Sequence, residues 1–170
     1  YGYCLVNGYG TKQDIELGLR WLRKARYEGS PMACFEYGQM RMDGRFVRKN
    51  RKDGEQWIRR AAEQNFPVAL LYLSDGYFYG DVFKQSISQA ISWRLRYYAA
   101  IPPEQAAEDV LNFMDACFAK ASEKQMTELA KVVEKAADAG VPEAMVAVGD
   151  YYMLGFHGFK EDHDEAFRYY

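Results

Sequence analysis

The sequence lacks the features that would place it in several large protein classes. Its three cysteines, Cys4, Cys34 and Cys117, are irregularly spaced, which argues against a disulfide framework and favours small buried roles in a reducing compartment. No apolar run approaches the roughly 20 residues that a membrane span needs. The formal net charge of −2 creates no global attraction to nucleic acid or to an anionic membrane. We therefore expect no membrane insertion and no nucleic-acid partner.

Catalytic and metal-binding motifs are also missing. The two histidines, His157 and His163, lie near acidic residues, but their six-residue spacing matches no familiar ligand pattern. There is no Gly-rich phosphate loop, no His-Glu-x-x-His motif and no Gly-x-Ser-x-Gly motif. We predict no catalytic residue, no metal site and no cofactor, and hence that the chain is not an enzyme. An unusual hydrolase remains the alternative, and it would require a cleft with perturbed acids or a cysteine–base pair.

What the sequence does contain is a repeat. The three tryptophans, Trp21, Trp57 and Trp93, lie 36 residues apart. Three further sets keep the same spacing: Asp14, Asn50 and Ser86; Pro31, Pro67 and Pro103; and Gly8, Gly44 and Gly80. A fixed period of about 20 to 50 residues is typical of stacked repeat proteins.

The recurring residues predict two helices in each repeat. The prolines suit the first position of a first helix, because the N–H that proline lacks would be unpaired there. The aspartate, asparagine and serine suit the N-cap of a second helix, where a short side-chain oxygen accepts from an orphan N–H. Gly29 and Asn65 tolerate the left-handed conformation that ends a helix. Since no sustained two-residue alternation occurs, strands are disfavoured.

We therefore predict an all-α chain that forms one solenoid domain of about five antiparallel helix pairs. The predicted units are residues 1–30, 31–66, 67–102, 103–141 and 142–170. The fourth unit is degenerate, with helices predicted over residues 103–119 and 125–139. Ser74, Tyr97 and Ile101 replace a packing glycine, a small alanine and a turn glycine, which indicates a looser or reshaped joint around the third and fourth units.

We interpret the chain as a piece of a longer protein, because it starts at Tyr1 and stops within a repeat pattern at Tyr170. This interpretation leaves the compartment undetermined and a removed export leader open.

Three stretches resemble the Sel-one-like repeat, a relative of the tetratricopeptide repeat. They are residues 19–25 (LRWLRKA), Tyr37-Gly38 with Gly44 and residues 57–62 (WIRRAA), and residues 148–155 (VGDYYMLG). The resemblance covers residues 1–101 and 136–170. It implies a right-handed superhelical solenoid that serves as a protein–protein interaction scaffold or adaptor, a role in which catalysis is unusual.

If the register resembles the tetratricopeptide one, the first helices line a concave face that binds a partner. The predicted partner-binding residues are Met32, Phe35, Gln39, Met42, Leu71, Asp75, Phe78, Met114, Val146, Asp150 and Met153. Adaptable Met and Phe side chains with scattered acids suit an amphipathic helix or an extended peptide of a partner, anchored by Phe35, Met42 and Phe78. The alternative is that the aligned apolar positions are simply core.

Two other functional interpretations stay open. The chain could be a structural spacer within a longer repeat array, and its two ends would permit end-to-end self-association. The basic loop of residues 45–52 is interpreted as solvated, with binding of an acidic peptide, a phosphate or nucleic acid as the alternative. We expect the tryptophans to be packing residues, so that Trp57→Ala would cost roughly 3–5 kcal/mol through the cavity it leaves.

Overall fold

The structure is a computed structural model that describes all residues from 1 to 170, and it contains ten helices and no strand. The helices are α1 (Gly2–Asn7), α2 (Ile15–Tyr27), α3 (Pro31–Asp43), α4 (Arg51–Glu63), α5 (Pro67–Tyr79), α6 (Ile87–Ala99), α7 (Pro103–Cys117), α8 (Glu123–Asp138), α9 (Pro142–Leu154) and α10 (His163–Tyr169). None of them combines the length and the apolar character that a membrane span requires.

Short polar side chains begin the second helices, as predicted. The side-chain oxygens of Asp14, Asn50 and Ser86 each accept a hydrogen bond from the backbone N–H three residues later, at 2.9, 3.1 and 3.4 Å. Each bond satisfies one donor of the first turn that has no partner within the helix. Ser30 caps α3 in the same way, immediately before Pro31. The predicted N-caps are therefore confirmed.

Left-handed residues end the early helices where the sequence predicts them. Gly44 follows α3 with a φ of 82°, and Gly29 and Asn65 follow α2 and α4 with φ values of 90° and 56°. Ile101 occupies the matching place after α6, which ends at Ala99 and is followed by Ala100 in a right-handed conformation. No left-handed residue follows α6, in contrast to α2 and α4.

The degenerate fourth repeat keeps its two helices but shifts their ends. α7 stops at Cys117 rather than at residue 119, and α8 runs from Glu123 to Asp138 rather than from 125 to 139. A capping box that the sequence analysis overlooked explains the earlier start of α8. Ser122 accepts from the backbone N–H of Gln125, and the Gln125 side-chain oxygen accepts from the backbone N–H of Ser122 at 3.0 Å.

The chain divides into two compact units, residues 1–73 and residues 74–170. In the first unit α1 pairs with α2 and α3 with α4; in the second, α7 pairs with α8, α8 with α9, and α9 with α10. Each unit has its own buried apolar cluster. The helix α5 crosses the division. The prediction of a single domain with five repeat units stays a prediction.

Glycines allow two helices of the first unit to approach each other closely. A Cβ atom added to Gly54 of α4 would lie 2.7 Å from the carbonyl oxygen of Gly38 on α3 and 2.9 Å from the backbone nitrogen of Met42. Gly2 and Gly18 make the same approach between α1 and α2, where a Cβ on Gly18 would lie 2.8 Å from the Gly2 carbonyl oxygen. Gly2 lies 36 residues before Gly38, and Gly18 lies 36 before Gly54. These glycines therefore recur because paired helices touch through their backbones, whereas Gly8, Gly44 and Gly80 end helices in the left-handed conformation.

The tryptophans are less buried than expected. Trp21 is 44% exposed, whereas Trp57 and Trp93 are half-buried. The Trp57 ring packs against the guanidinium of Arg26, 4.3 Å from the ring centroid, and its Nε1 donates to Asp53 Oδ1 at 3.2 Å. A half-buried ring leaves a smaller cavity, so the cost of Trp57→Ala should fall below the roughly 3–5 kcal/mol of a fully buried one.

Candidate functional site

An apolar groove, which we call the α1–α3 groove, lies beside the first helices of the first unit. It encloses about 180 Å³. Its lining includes Tyr1, Tyr3, Cys4, Trp21, Leu22, Ala25, Met32, Ala33 and Glu36. Met32 is 53% exposed, and Glu36 is half-buried. The groove thus offers an adaptable thioether and one carboxylate in otherwise apolar surroundings.

The Glu36 carboxyl should make stability depend on pH. Burial raises the pKa of Glu36 above its ordinary value, an effect that Arg45 only partly opposes. The folded state then binds the proton more tightly than the unfolded chain. The free energy of unfolding is therefore lower at neutral pH and rises as the pH falls through the raised pKa of Glu36 in the folded state. We expect Glu36→Gln to raise the melting temperature at neutral pH and to flatten its rise on mild acidification, as measured by circular dichroism.

The exposed Glu63, changed to Gln, is the control for this experiment and should alter neither the melting temperature nor its pH profile. A Glu36→Gln variant that melts at or below the wild-type temperature at neutral pH would contradict the expectation.

A larger groove, the α7–α9 groove, lies in the second unit. It encloses about 470 Å³ and is lined by Glu104, Ala107, Glu108, Leu111 and Asn112 of α7 and by Val141 and Glu143 at the start of α9. Glu104, Glu108 and Leu111 follow helical spacing, which places them along one face of α7. Aliphatic side chains therefore share this groove with exposed carboxylates.

The second unit also contains a buried polar cluster, the Arg94 cluster. Arg94 is only 6% exposed. Its guanidinium donates to Asp75 Oδ1 at 2.5 Å, to Asp109 Oδ2 at 3.2 Å and to the Ser74 hydroxyl at 3.1 Å. The Tyr98 hydroxyl donates to Asp109 Oδ2 at 2.8 Å. The buried cation is thus held by two carboxylates and a hydroxyl.

The Arg94 cluster replaces apolar packing found elsewhere in the repeat. Arg94 lies 36 residues after Ile58, which is fully buried, and Ser74 lies 36 residues after Gly38. In the first unit a Cβ on Gly38 would meet Ile58 Cγ1 at 2.7 Å. In the second unit the Ser74 hydroxyl fills the corresponding place and donates to the carbonyl oxygen of Ala90 at 2.9 Å. An arginine at a buried apolar position was the signal that could have revealed this cluster.

Comparison with protein families identifies the repeat. The Sel1 repeat profile matches residues 1–30, 31–66, 67–93 and 142–170, which together make up more than half of the chain. The chain belongs to the Sel1 repeat family. Proteins of this family generally act as protein-interaction scaffolds and are typically non-enzymatic.

Solved structures agree with the Sel1 repeat assignment. The protective antigen c5321 of uropathogenic Escherichia coli strains, which displays an SLR fold, is 24% identical with a TM-score of 0.63; the match covers 99% of this chain and 35% of c5321. A Sel1 repeat protein from Oxalobacter formigenes is 24% identical with a TM-score of 0.56, covering 99% of this chain and 82% of that one. No curated protein matches the chain. The predicted α/α repeat fold is therefore confirmed.

The predicted partner-binding residues of this Sel1 repeat chain differ widely in burial. Three are exposed: Met32, Val146 and Asp150. Four are half-buried: Gln39, Leu71, Asp75 and Met153. The remaining four are buried: Phe35, Met42, Phe78 and Met114. Only the first two groups offer a partner appreciable surface.

The three proposed anchors, Phe35, Met42 and Phe78, are interior side chains. The Phe35 ring lies 5.9 Å from that of Phe66, and the Phe78 ring lies 5.4 Å from that of Phe113. Met42 covers the glycine contact between α3 and α4. These positions recur in the repeat because they fill its helix pairs, so the core alternative describes them better than the anchor role.

The histidines do not converge on a metal site. His163 Nε2 lies 3.2 Å from Glu161 Oε1, whereas the His157 ring packs edge-on against Tyr151 with 5.0 Å between ring centroids. Burial lowers the pKa of His157. No group of three or more His, Cys, Asp or Glu side chains is placed to hold a metal ion.

The basic loop of residues 45–52 is tied to the first unit through its apolar members. Phe46 and Val47 pack against the buried cluster of that unit. Arg41 fixes the loop further by donating to Asp53 Oδ2 and to the carbonyl oxygen of Arg48, both at 2.6 Å. The basic side chains of residues 45–52 are all exposed, which agrees with their interpretation as a solvated surface.

Proposed function

We propose that this Sel1 repeat protein is a non-enzymatic interaction module that binds a peptide or helix of a protein partner along the exposed side of its first helices. The observation that carries the proposal is the α7–α9 groove. It is an open groove of about 470 Å³ in which the aliphatic side chains of Leu111 and Val141 lie beside exposed glutamates.

Exposed apolar side chains on first helices support the proposal. Met32 in the first unit and Val146 in the second are each 53% exposed, although apolar side chains of this size gain from burial. Met32 lines the α1–α3 groove, whereas Val146 lies on α9 outside the lining of the α7–α9 groove. Exposed apolar surface rimmed by polar groups is typical of interaction sites. The known role of Sel1 repeat proteins as binders of protein partners points the same way.

Nucleic acid is a poor candidate for the same surface. The α7–α9 groove presents Glu104, Glu108 and Glu143, and carboxylates repel the phosphates that supply most nucleic-acid affinity. We therefore retain the expectation of a protein partner. End-to-end self-association is a separate expectation, which sedimentation at increasing protein concentration would test.

The proposal can be tested by selecting peptides from a displayed random library against the protein and measuring their affinities by fluorescence anisotropy. We expect Leu111→Ala to weaken peptides that occupy the α7–α9 groove by at least about fivefold, which corresponds to about 1 kcal/mol of lost apolar contact. Leu154→Ala is the matched control, because Leu154 is exposed and does not line the groove. It should change affinity by less than about twofold.

If Leu111→Ala leaves the affinity of the peptides unchanged but Met32→Ala lowers it, the partner binds in the α1–α3 groove. That result would still support binding on the first helices. A library that yields no binder, or binders indifferent to both substitutions, would overturn the proposal. Circular dichroism of each variant checks that its helices are intact.

A further inference from the structure

Charge is unevenly divided between the helices of the second unit. The first helices α7 and α9 carry only acidic charged residues: Glu104, Glu108, Asp109, Asp115, Glu143 and Asp150. The second helices α6 and α8 carry all the basic residues of these four helices, Arg94, Arg96, Lys124, Lys131 and Lys135, together with four acidic ones on α8, Glu123, Glu128, Glu134 and Asp138. The two helices that line the groove are therefore the more acidic pair.

The groove carboxylates are not neutralised within the protein. The ion pairs of this unit join Arg94 to Asp75 and Asp109, His163 to Glu161, and Arg168 to Glu165, and they include none of the groove glutamates. The one lysine that follows α7, Lys120, lies over the Phe78 ring at 5.0 Å. The charges of Glu104, Glu108 and Glu143 thus remain available to a partner.

The groove also has a regular arrangement of aliphatic and acidic side chains, which a partner must match. Glu104 and Glu108 lie one helical turn apart, and Ala107 and Leu111 follow the same face of α7. Val141 and Glu143 repeat the pairing of an aliphatic side chain with a carboxylate at the start of α9. An occupant that matches this surface must present cationic and aliphatic side chains together.

We infer that the α7–α9 groove recognises a cationic amphipathic segment of a protein partner, in which lysine or arginine lies about one helical turn from leucine-like side chains. This inference rests on the proposed function, which makes the groove a partner-binding surface. The aliphatic contacts supply affinity, while the three carboxylates steer association and reject acidic segments. The attraction weakens with added salt, because exposed charges are screened within about 8 Å at physiological ionic strength.

The probe for this inference is a fluorescein-labelled synthetic peptide of about 18 residues, with leucine and lysine at helical spacing. A second peptide replaces every lysine with glutamate, and a third keeps the lysines but replaces every leucine with serine. We expect the leucine–lysine peptide to bind at least about tenfold more tightly than either of the others in an anisotropy titration. Its affinity should fall as salt is raised.

Two triple variants separate recognition by the groove from attraction to acidic surface in general. Glu104→Gln/Glu108→Gln/Glu143→Gln removes the groove charges, and Glu16→Gln/Glu63→Gln/Glu123→Gln removes three exposed glutamates elsewhere. Both change the net charge equally, and in each set two glutamates lie in the first turn of a helix. We expect the groove variant to weaken the leucine–lysine peptide by about tenfold or more and the control variant by less than about twofold.

Equal losses in the two triple variants would overturn the inference, because the peptide would then respond to charge without regard to position. Tight binding of the glutamate peptide would overturn it as well. If the leucine–lysine peptide does not bind while the affinity of library-selected peptides still depends on Leu111, the proposed function is supported and the inference of a cationic segment is overturned. If the affinity of no peptide depends on Leu111 or Met32, both the inference and the proposed function are overturned.

Discussion

Removing both carboxylates of the Arg94 cluster should destabilise the second unit strongly. We expect Asp75→Ala/Asp109→Ala to lower the free energy of unfolding by about 3 kcal/mol, since breaking a buried pair leaves a charge without a partner. The value lies at the lower end of the usual range because the Asp75 and Asp109 side chains are 43% and 41% exposed, so that water can replace part of what they supply. Urea unfolding followed by circular dichroism measures the change.

The exposed aspartates Asp43 and Asp115, which also lie on first helices, provide the control. Asp43→Ala/Asp115→Ala removes the same two charges and should alter stability by no more than about 0.5 kcal/mol. Equal losses in the two double variants would show that the effect comes from net charge and not from the buried guanidinium.

A second variant replaces the polar Arg94 cluster with the apolar packing of the first unit. Arg94→Ile/Ser74→Gly installs the residue types found at Ile58 and Gly38, where the equivalent helices pack through apolar contact. Replacing a buried ion pair with well-packed apolar residues is often neutral or stabilising, so we expect a change within about 1.5 kcal/mol. A loss as large as that of Asp75→Ala/Asp109→Ala would mean that the polar cluster contributes stability which apolar packing cannot replace.

Local features of the fold could be predicted from the sequence because their causes are local. Asp14, Asn50 and Ser86 each cap a helix through a backbone N–H only three residues away. Gly29 and Asn65 take the left-handed conformation that their residue types permit. These signals also recur at a fixed spacing, so that each one supports the others. Ser122 lies 36 residues after Ser86 and continues the same set of N-caps, so it could have been predicted too; the fourth repeat obscures this because it lacks the tryptophan and the glycine of its neighbours.

The candidate site could be predicted only in part, since a repeat period shows which residues are equivalent but not where they point. Phe78 and Met42 recur at one position, and both a groove lining and a core predict such recurrence. Ser74 was recognised as a departure, but its partner Arg94 lies 20 residues away on another helix. Glu104 lies 36 residues after the exposed Val68 and 72 after the exposed Met32, so the register indicates its exposure, but a solvated glutamate on a helix does not by itself indicate a groove.

Changing Gly54, which contacts Gly38, to alanine would have two opposing effects on stability. In an exposed helix interior, changing glycine to alanine gains about 1 kcal/mol through helix propensity. At Gly54 the new Cβ would lie 2.7 Å from the Gly38 carbonyl oxygen and 2.9 Å from the Met42 nitrogen. Both are backbone atoms, so no flexible side chain can move aside. Overpacking of this kind costs about 1–3 kcal/mol, and occasionally more.

We expect the clash to dominate, so that Gly54→Ala destabilises the first unit by about 2 kcal/mol and Gly54→Val by more. Gln56→Ala is the control, because Gln56 is exposed on the same helix and should change stability by no more than about 0.5 kcal/mol. Urea unfolding of the three variants measures the order. If Gly54→Ala raised stability instead, helix propensity would outweigh the contact, and α3 and α4 would have to separate at little cost. The glycines at this position would then be dispensable for pairing these helices.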